Sequence, residues 1–231
     1  GEVIKGYEDI IKIITIAPEV KGSLEFIEKY TKDYGIRFSM GHSAASYDEA
    51  MAGIEAGVCS CTHFFNAMTG LHHRNPGVVG AVMNSDIRCE VIADTIHVNT
   101  ALFNLIARVK GMDKVLLITD AIMGAGLSDG EYSLGGQKVF LQNGKCMLTD
   151  GTIAGSSLKL NKAIYNFTKH SDYSLEKVIE SATINQAKYI GVEDRKGTLD
   201  IGKDADITIV NDKLDIYYTI GKGKTLYEKS N

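Results

Sequence analysis

Apolar residues in this chain recur in short runs, each followed by a stretch in which they return every three or four positions. The runs fall at 10–17, 36–40, 59–65, 87–93 and 114–119, and read as strands. The stretches at 23–33, 46–55, 76–83 and 100–109 read as amphipathic helices. Local punctuation agrees. Ser46 with Glu49 three residues on forms a capping box, and Pro76 suits a first helical turn. Gly35, Gly57 and Gly111 stand where helices close. Strands alternating with helices predict a parallel sheet.

After Asp120 the pattern changes. Residues 131–149 alternate polar and apolar, with Gly135-Gly136 and Asn143-Gly144 as turn signals, and predict small hairpins. Two amphipathic helices are expected at 157–170 and 175–190, then strands at 205–210 and 216–220 with a turn at 221–223. Five strands of the parallel type are too few to close a (β/α) barrel, which takes eight. The fold expected is α/β: an incomplete (β/α)8 barrel in residues 1–195, with part of a small β-sandwich in 196–231. On that count the chain reads as the C-terminal portion of something longer.

Four residues stand at the ends of predicted strands: His42, His63, His97 and Asp120. In a parallel barrel such positions converge on one mouth, where the chemistry sits. Three imidazoles and a carboxylate are what a catalytic metal with an activated water requires. An enzyme is therefore expected. A net charge of −4 and a pI near 5.9 argue against a nucleic-acid partner. The longest apolar stretch, 10–18, is broken by Lys12 and far short of the ~20 residues that span a bilayer. Four cysteines in 231 residues make no disulfide framework, which fits the cytoplasm. Cys59 and Cys61 share a strand face with His63, either as thiolate donors or as ordinary core thiols. No Gly-x-Ser-x-Gly elbow is present, and no Lys-Ser/Thr follows the glycines at 124–126 to make a phosphate cradle.

The motifs, in order, are Thr-Ile-Ala-Pro-Glu (15–19), Gly-His-Ser (41–43), Thr-His-Phe-Phe-Asn-Ala-Met (62–68) and Arg-Asn-Pro-Gly (74–77). Ala-Asp-Thr-Ile-His (93–97), Thr-Asp-Ala (119–121), Gly-Thr-Ile-Ala-Gly-Ser-Ser (151–157) and Gly-Thr-Leu-Asp-Ile-Gly-Lys-Asp-Ala-Asp (197–206) follow. The series resembles the N-acetylglucosamine-6-phosphate deacetylases of the amidohydrolase superfamily. The resemblance implies a metal-dependent barrel with a β-sandwich, these five strands being the fourth to the eighth. It makes His42 and His63 ligands of a zinc or iron ion, and Asp120 the general base that later returns its proton to the leaving amine. His97 would polarise the acetamide carbonyl. Arg74, with the backbone of Asn66 and Ala67, would hold the sugar phosphate, and Ala154, Gly155 and Ser156 would line the sugar. A small amino-sugar phosphate as substrate and a homodimer are implied, with no nucleic-acid or membrane partner.

The family usually has Gly after the Asp of the fifth of these motifs, where Thr95 stands, and an acidic residue is common where Asn75 stands. Its third metal ligand, a Glu on an upstream strand, has no match; Glu19 belongs to a different motif. By itself the chain is expected to be inactive. Two other readings stay open: a superfamily enzyme acting on a different N-acyl or cyclic amide, and a non-catalytic barrel remnant or scaffold. His72 and His73 read as exposed loop, and Lys203, Asp204 and Asp206 as structural. Asp94 either meets ligand or bonds to nearby backbone.

Overall fold

A computed structural model of the chain describes residues 2–230. Strands β1 (Ile13–Ile16), β2 (Arg37–Met40), β3 (Val58–Cys61), β4 (Arg88–Ile92) and β5 (Val115–Ile118) form one five-stranded parallel sheet in chain order. Thr15 lies opposite Ser39 on β2, and Ser39 opposite Ser60 on β3, with a bulge between Phe38 and Ser39 that shifts the β2–β3 register by one residue. Between the strands run α1 (Ser23–Tyr34), α2 (Tyr47–Ala56), α3 (Gly77–Met83) and α4 (Ala101–Lys110). The strands are shorter than the apolar runs predict. The runs continue into turns in which residues such as His63 and Phe65 leave extended backbone for positive φ.

The predicted caps are present. The Ser46 hydroxyl accepts from Glu49 N, and the Glu49 carboxylate accepts in return from Ser46 N at 2.8 Å. Those bonds hold the Glu49 carboxyl below the usual carboxylate range. Gly35 closes α1 in the left-handed region at φ 66°.

By compactness the chain divides into two units. One runs through Val91 and includes Ile106–Leu116. Its core holds Ile27, Phe38, Met40, Cys61, Phe64, Val78, Val82 and Cys89, all without exposed surface. Burial pushes the Cys61 thiol well above its ordinary range and Cys89 up to about 12. These are protonated core thiols, and Cys59 donates its own proton to Phe38 O.

The second unit comprises Ile92–Leu105 and the chain from Leu117 onward. Here β6 (Gly130–Leu134), β7 (Gln137–Gln142), β8 (Lys145–Leu148) and β9 (Ile153–Ser156) make an antiparallel meander over Ile122, Val139, Leu141 and Cys146. The hairpins are where the turn signals put them; β9 lies beyond the predicted stretch. Helix α5 (Leu160–Lys169) stacks Phe167 on Phe103, with ring centroids 5.0 Å apart.

The helix expected over 175–190 is two, α6 (Leu175–Glu180) and α7 (Ile184–Ile190). The break has a cause in three dimensions. Ser181 O accepts from Leu117 N at 3.1 Å and from Gln186 Nε2 at 3.1 Å, so it is withdrawn from the helical ladder. The hydroxyls of Ser181 and Thr183 donate back to Val178 O and Ile179 O, as such residues do when they compete with helix. The chain ends in an antiparallel sheet of β10 (Ile207–Val210), β11 (Ile216–Gly221) and β12 (Lys224–Glu228). Ahead of it Asp204 and Asp206 pair with Arg195 and Lys196.

In the first unit Lys110 lies buried at the C-terminal end of α3. Its ammonium donates to Val82 O at 2.6 Å and to Ser85 O. Val82 O belongs to the last turn of α3, where carbonyls lack helical partners, and Ser85 O lies just beyond its cap. Burial holds its pKa below the usual lysine range. Lys110→Met keeps the stem and takes the ammonium from both carbonyls, leaving Val82 O only the Ser85 hydroxyl and amide. It is expected to lower unfolding free energy by about 1–3 kcal/mol, read as a lower urea midpoint at constant slope. An unchanged midpoint would mean that the two carbonyls do not depend on the ammonium.

Candidate active site

The first unit carries His42 and His63, each two residues past the end of its strand, β2 and β3. Their Nε2 atoms lie 2.9 Å apart, with the rings inclined at 68°. Both residues have left-handed backbone, φ 50° at His42 and 32° at His63. Such conformations are costly for non-glycine residues and persist where surrounding bonds over-determine them.

Those bonds can be named. Ser43 N donates to Ala67 O at 3.1 Å, tying the loop after β2 to the loop after β3. Thr69 donates its hydroxyl to Ala45 O at 2.6 Å and accepts from Val78 N at 2.8 Å. Glu19 accepts from the Ser43 hydroxyl at 2.7 Å and from Ala44 N at 2.6 Å. Its carboxylate is thus engaged with the His42 loop. Space at Gly41 is tight: a Cβ there would lie 3.1 Å from the methyls of Thr15 and Thr62, which would have to give by a few tenths of an ångström. His42, Ser43, Ala44, Ala67, Met68 and Thr69 line an open cavity of about 450 Å³.

Asn66 donates its amide to His63 O and Phe64 O, so its side chain shapes the turn. Ala67 is left-handed at φ 49°. Arg74 lies exposed, with Nη1 2.7 Å from His73 Nε2 and its backbone N–H donating to His72 Nδ1.

In the second unit, Asp94 turns the chain. Its Oδ1 accepts from Ile96 N and His97 N, both at 2.8 Å, and its Oδ2 lies 2.6 Å from His97 Nδ1. Of the two uses open to Asp94, bonding to nearby backbone is the one present. Burial by itself would raise its pKa; the bonds from the His97 ring and the two amides outweigh that and hold the carboxyl below its usual range. An Nδ1–H donated to Asp94 leaves Nε2 as the ring atom open to a ligand.

Asp120 follows β5 with φ 50°. Asp120 O accepts from Ser156 N at 2.8 Å, Ile122 N donates to Ser156 O at 2.9 Å, and the Ser156 hydroxyl donates to Thr119 O. Ser156 therefore clamps the Asp120 turn. Gly155 beside it is left-handed, and a Cβ there would come within 2.4 Å of Ile122. Ala154 is half-buried and packs on the meander core.

A model of the amidohydrolase family matches residues 14–226. The chain belongs to that family. It is similar to the N-acetylglucosamine-6-phosphate deacetylase of Bacillus subtilis (strain 168), 38% identical over 219 residues, which make up 94% of this chain and 55% of that protein. It is also similar to the N-acetylgalactosamine-6-phosphate deacetylase of Escherichia coli O157:H7, 34% identical, covering 93% of this chain and 57% of that protein. Among solved structures, the N-acetyl-D-glucosamine-6-phosphate deacetylase of Mycobacterium smegmatis superposes with a TM-score of 0.92 at 30% identity. It covers 98% of this chain, and this chain covers 61% of it. The chain thus spans a little over half the length of the curated relatives it matches.

Amidohydrolases generally depend on a divalent metal. Two ring nitrogens 2.9 Å apart share either a proton or a cation, and bonds of roughly 2.0–2.1 Å from one ion reach both. The pair fits two donors of such a site. Among the described residues no group of three His, Cys, Asp or Glu gathers to hold a metal ion. Also among the described residues, no helix is long and apolar enough to cross a membrane.

Sequence reasoning missed the supporting residues of this amidohydrolase. Thr62 donates its hydroxyl to Glu90, a charged residue inside an apolar run, and that misfit was the one available signal. Ser156 gave none beyond its place in a motif.

Two outcomes follow for the loop after β4. Thr95 is exposed and left-handed at φ 71°, where the family's usual Gly carries no strain. Thr95→Gly is expected to raise unfolding free energy by about 1 kcal/mol, seen as a higher urea midpoint. A lower midpoint would show that the Thr side chain holds the turn. Asp94 has its pKa depressed by folding. Its stabilisation is therefore present above the ordinary aspartate value near 3.9 and fades as pH falls through the folded value. Asp94→Ala is expected to flatten the acid limb of a stability–pH curve; an unaltered limb would remove Asp94 as its source.

Proposed function

We propose that the protein is a metal-dependent amide hydrolase that takes acetate from N-acetylglucosamine 6-phosphate and leaves glucosamine 6-phosphate. The observation that carries this reading is the His42–His63 pair, Nε2 to Nε2 at 2.9 Å on strained turns past neighbouring parallel strands. The motif series and the curated relatives supply the substrate class. The reading takes the sheet as five strands of a (β/α)8 barrel in residues 1–195, and 196–231 as part of a β-sandwich. A homodimer in the cytoplasm completes it.

His42 and His63 would hold a zinc or iron ion with two imidazole nitrogens. Such an ion, when bound, acts as a Lewis acid and makes water a nucleophile near neutral pH. Asp120 takes the proton of the attacking water and returns it to the leaving amine. His97, fixed through Nδ1 by Asp94, presents Nε2 to the acetamide oxygen. Arg74 meets the sugar phosphate with its planar fork, beside the backbone of Asn66 and Ala67. Ala154, Gly155 and Ser156 line the sugar through backbone, since the Ser156 hydroxyl is engaged with Thr119 O.

The test is acetate release from N-acetylglucosamine 6-phosphate and from its galactosamine epimer, with zinc or ferrous iron added. Turnover is expected from the full reading frame, faster on the glucosamine compound, and none from these 231 residues alone. Asp120→Asn is expected to lower kcat by roughly 10²–10⁴. Arg74→Ala should raise KM for the phosphorylated sugar and leave an unphosphorylated one unaffected. Faster release from the galactosamine epimer would change the substrate. No release from the full frame with either metal would overturn the hydrolase reading in favour of a non-catalytic scaffold.

A further inference from the structure

The turn that carries His63 is bracketed by one residue of the next strand. On its N-terminal side, the Thr62 hydroxyl donates to Glu90 Oε2 at 2.9 Å. On its C-terminal side, Phe64 N donates to Glu90 O at 2.7 Å. Glu90 thus grips both neighbours of a histidine whose own backbone sits at φ 32°. The grip extends sideways. Ser39, fully buried on β2, donates its hydroxyl to Thr62 Oγ1 at 2.9 Å, and Thr62 N donates to Met40 O at 2.8 Å. The line Ser39 to Thr62 to Glu90 crosses β2, β3 and β4 and ends on a carboxylate. That fixes the direction of every hydroxyl proton along it. The Thr62 methyl also packs closely on Gly41, directly before His42, 3.1 Å from where a Cβ would stand.

An ordinary exposed strand glutamate makes no such network. A carboxylate inside a parallel sheet is costly unless it is hydrogen-bonded; Glu90 binds the His63 turn on both sides, and Thr62 carries the link on to Ser39 and Met40 of the strand that leads to His42. We propose that Glu90 is a positioning residue: through Thr62 it sets the His63 turn so that the His63 and His42 ring nitrogens meet at ligand spacing. The inference rests on the metal-site reading above and adds to it a residue that touches neither metal nor substrate.

The test is zinc titration by calorimetry of the purified protein and five variants, with the urea midpoint of each measured alongside. Glu90→Ala and Thr62→Val are each expected to weaken zinc binding by roughly 10–100-fold, as loss of an outer partner of a ligand does. The double variant should be no weaker than the worse single one, because both cut the same link. Glu90→Gln keeps an oxygen acceptor for the Thr62 hydroxyl and should bind within a few-fold of wild type. Val139→Ala, in the meander core, is the control: it should lower the midpoint and leave zinc affinity unchanged. Zinc affinity of Glu90→Ala equal to wild type, or reduced only as much as in Val139→Ala, would overturn the proposal. If wild type itself takes no zinc, the metal reading fails, and the crystal structure of Glu90→Ala decides the positioning role. A His42–His63 contact kept at 2.9 Å would then refute it, and separated rings would sustain it.

Discussion

The backbone at His42, His63 and Asp120 is left-handed, at φ 50°, 32° and 50°, and each of the three follows a strand of the parallel sheet. A strand that must hand its chain to a helix on the sheet's face has to turn sharply. A polar side chain placed at the turn itself projects beyond the strand end instead of along a face. The cost is of order 1–3 kcal/mol per residue. Glycine would remove that cost and the chemistry with it. Much of the polar bonding around these turns is best understood as what keeps three strained residues where they are.

Each turn is held by a different device. Around His42 it is the Glu19 carboxylate on the Ser43 hydroxyl and Ala44 amide. Around His63 it is Glu90, above and below in sequence. Asp120 is held through its carbonyl by the amide of Ser156, with the Ser156 hydroxyl on Thr119 O. His97 differs: its own backbone is relaxed, and the strain lies two residues earlier at Thr95, under the side chain of Asp94. A carboxylate supports three of the four chemical residues. Acidic residues suit this work because one side chain accepts two or more bonds in fixed directions.

How far the sequence discloses this depends on whether the determinant is local. Ser46 with Glu49, and Gly35 after α1, act within a few residues of the chain, and the structure has them as read. The places of His42, His63, His97 and Asp120 beyond the parallel strands were legible because the end of an apolar run is a local fact too. The break between α6 and α7 was not, since it depends on Leu117, some sixty residues earlier, claiming the carbonyl of Ser181. Strand β9 was missed for a related reason: its pairing with β8 shifts register between Lys145 and Met147, which blurs the alternation expected of a hairpin strand.

The supporting residues show where such reading stops. Glu19 and Glu90 are both acidic residues near strand ends. Among the described residues neither gathers with two further donors that could hold a metal ion; Glu19 bonds the loop after His42, and Glu90 bonds the turn of His63. A carboxylate two bonds from a ligand and a carboxylate that is a ligand have the same composition, and spacing along the chain does not separate them. What separates them is the count of N–H and O–H donors already aimed at the oxygens. Glu19 has two such donors; Glu90 has the Thr62 hydroxyl on its carboxylate and holds Phe64 N separately, through its backbone carbonyl. A carboxylate so engaged is a support, and its removal is felt at the imidazole it steadies.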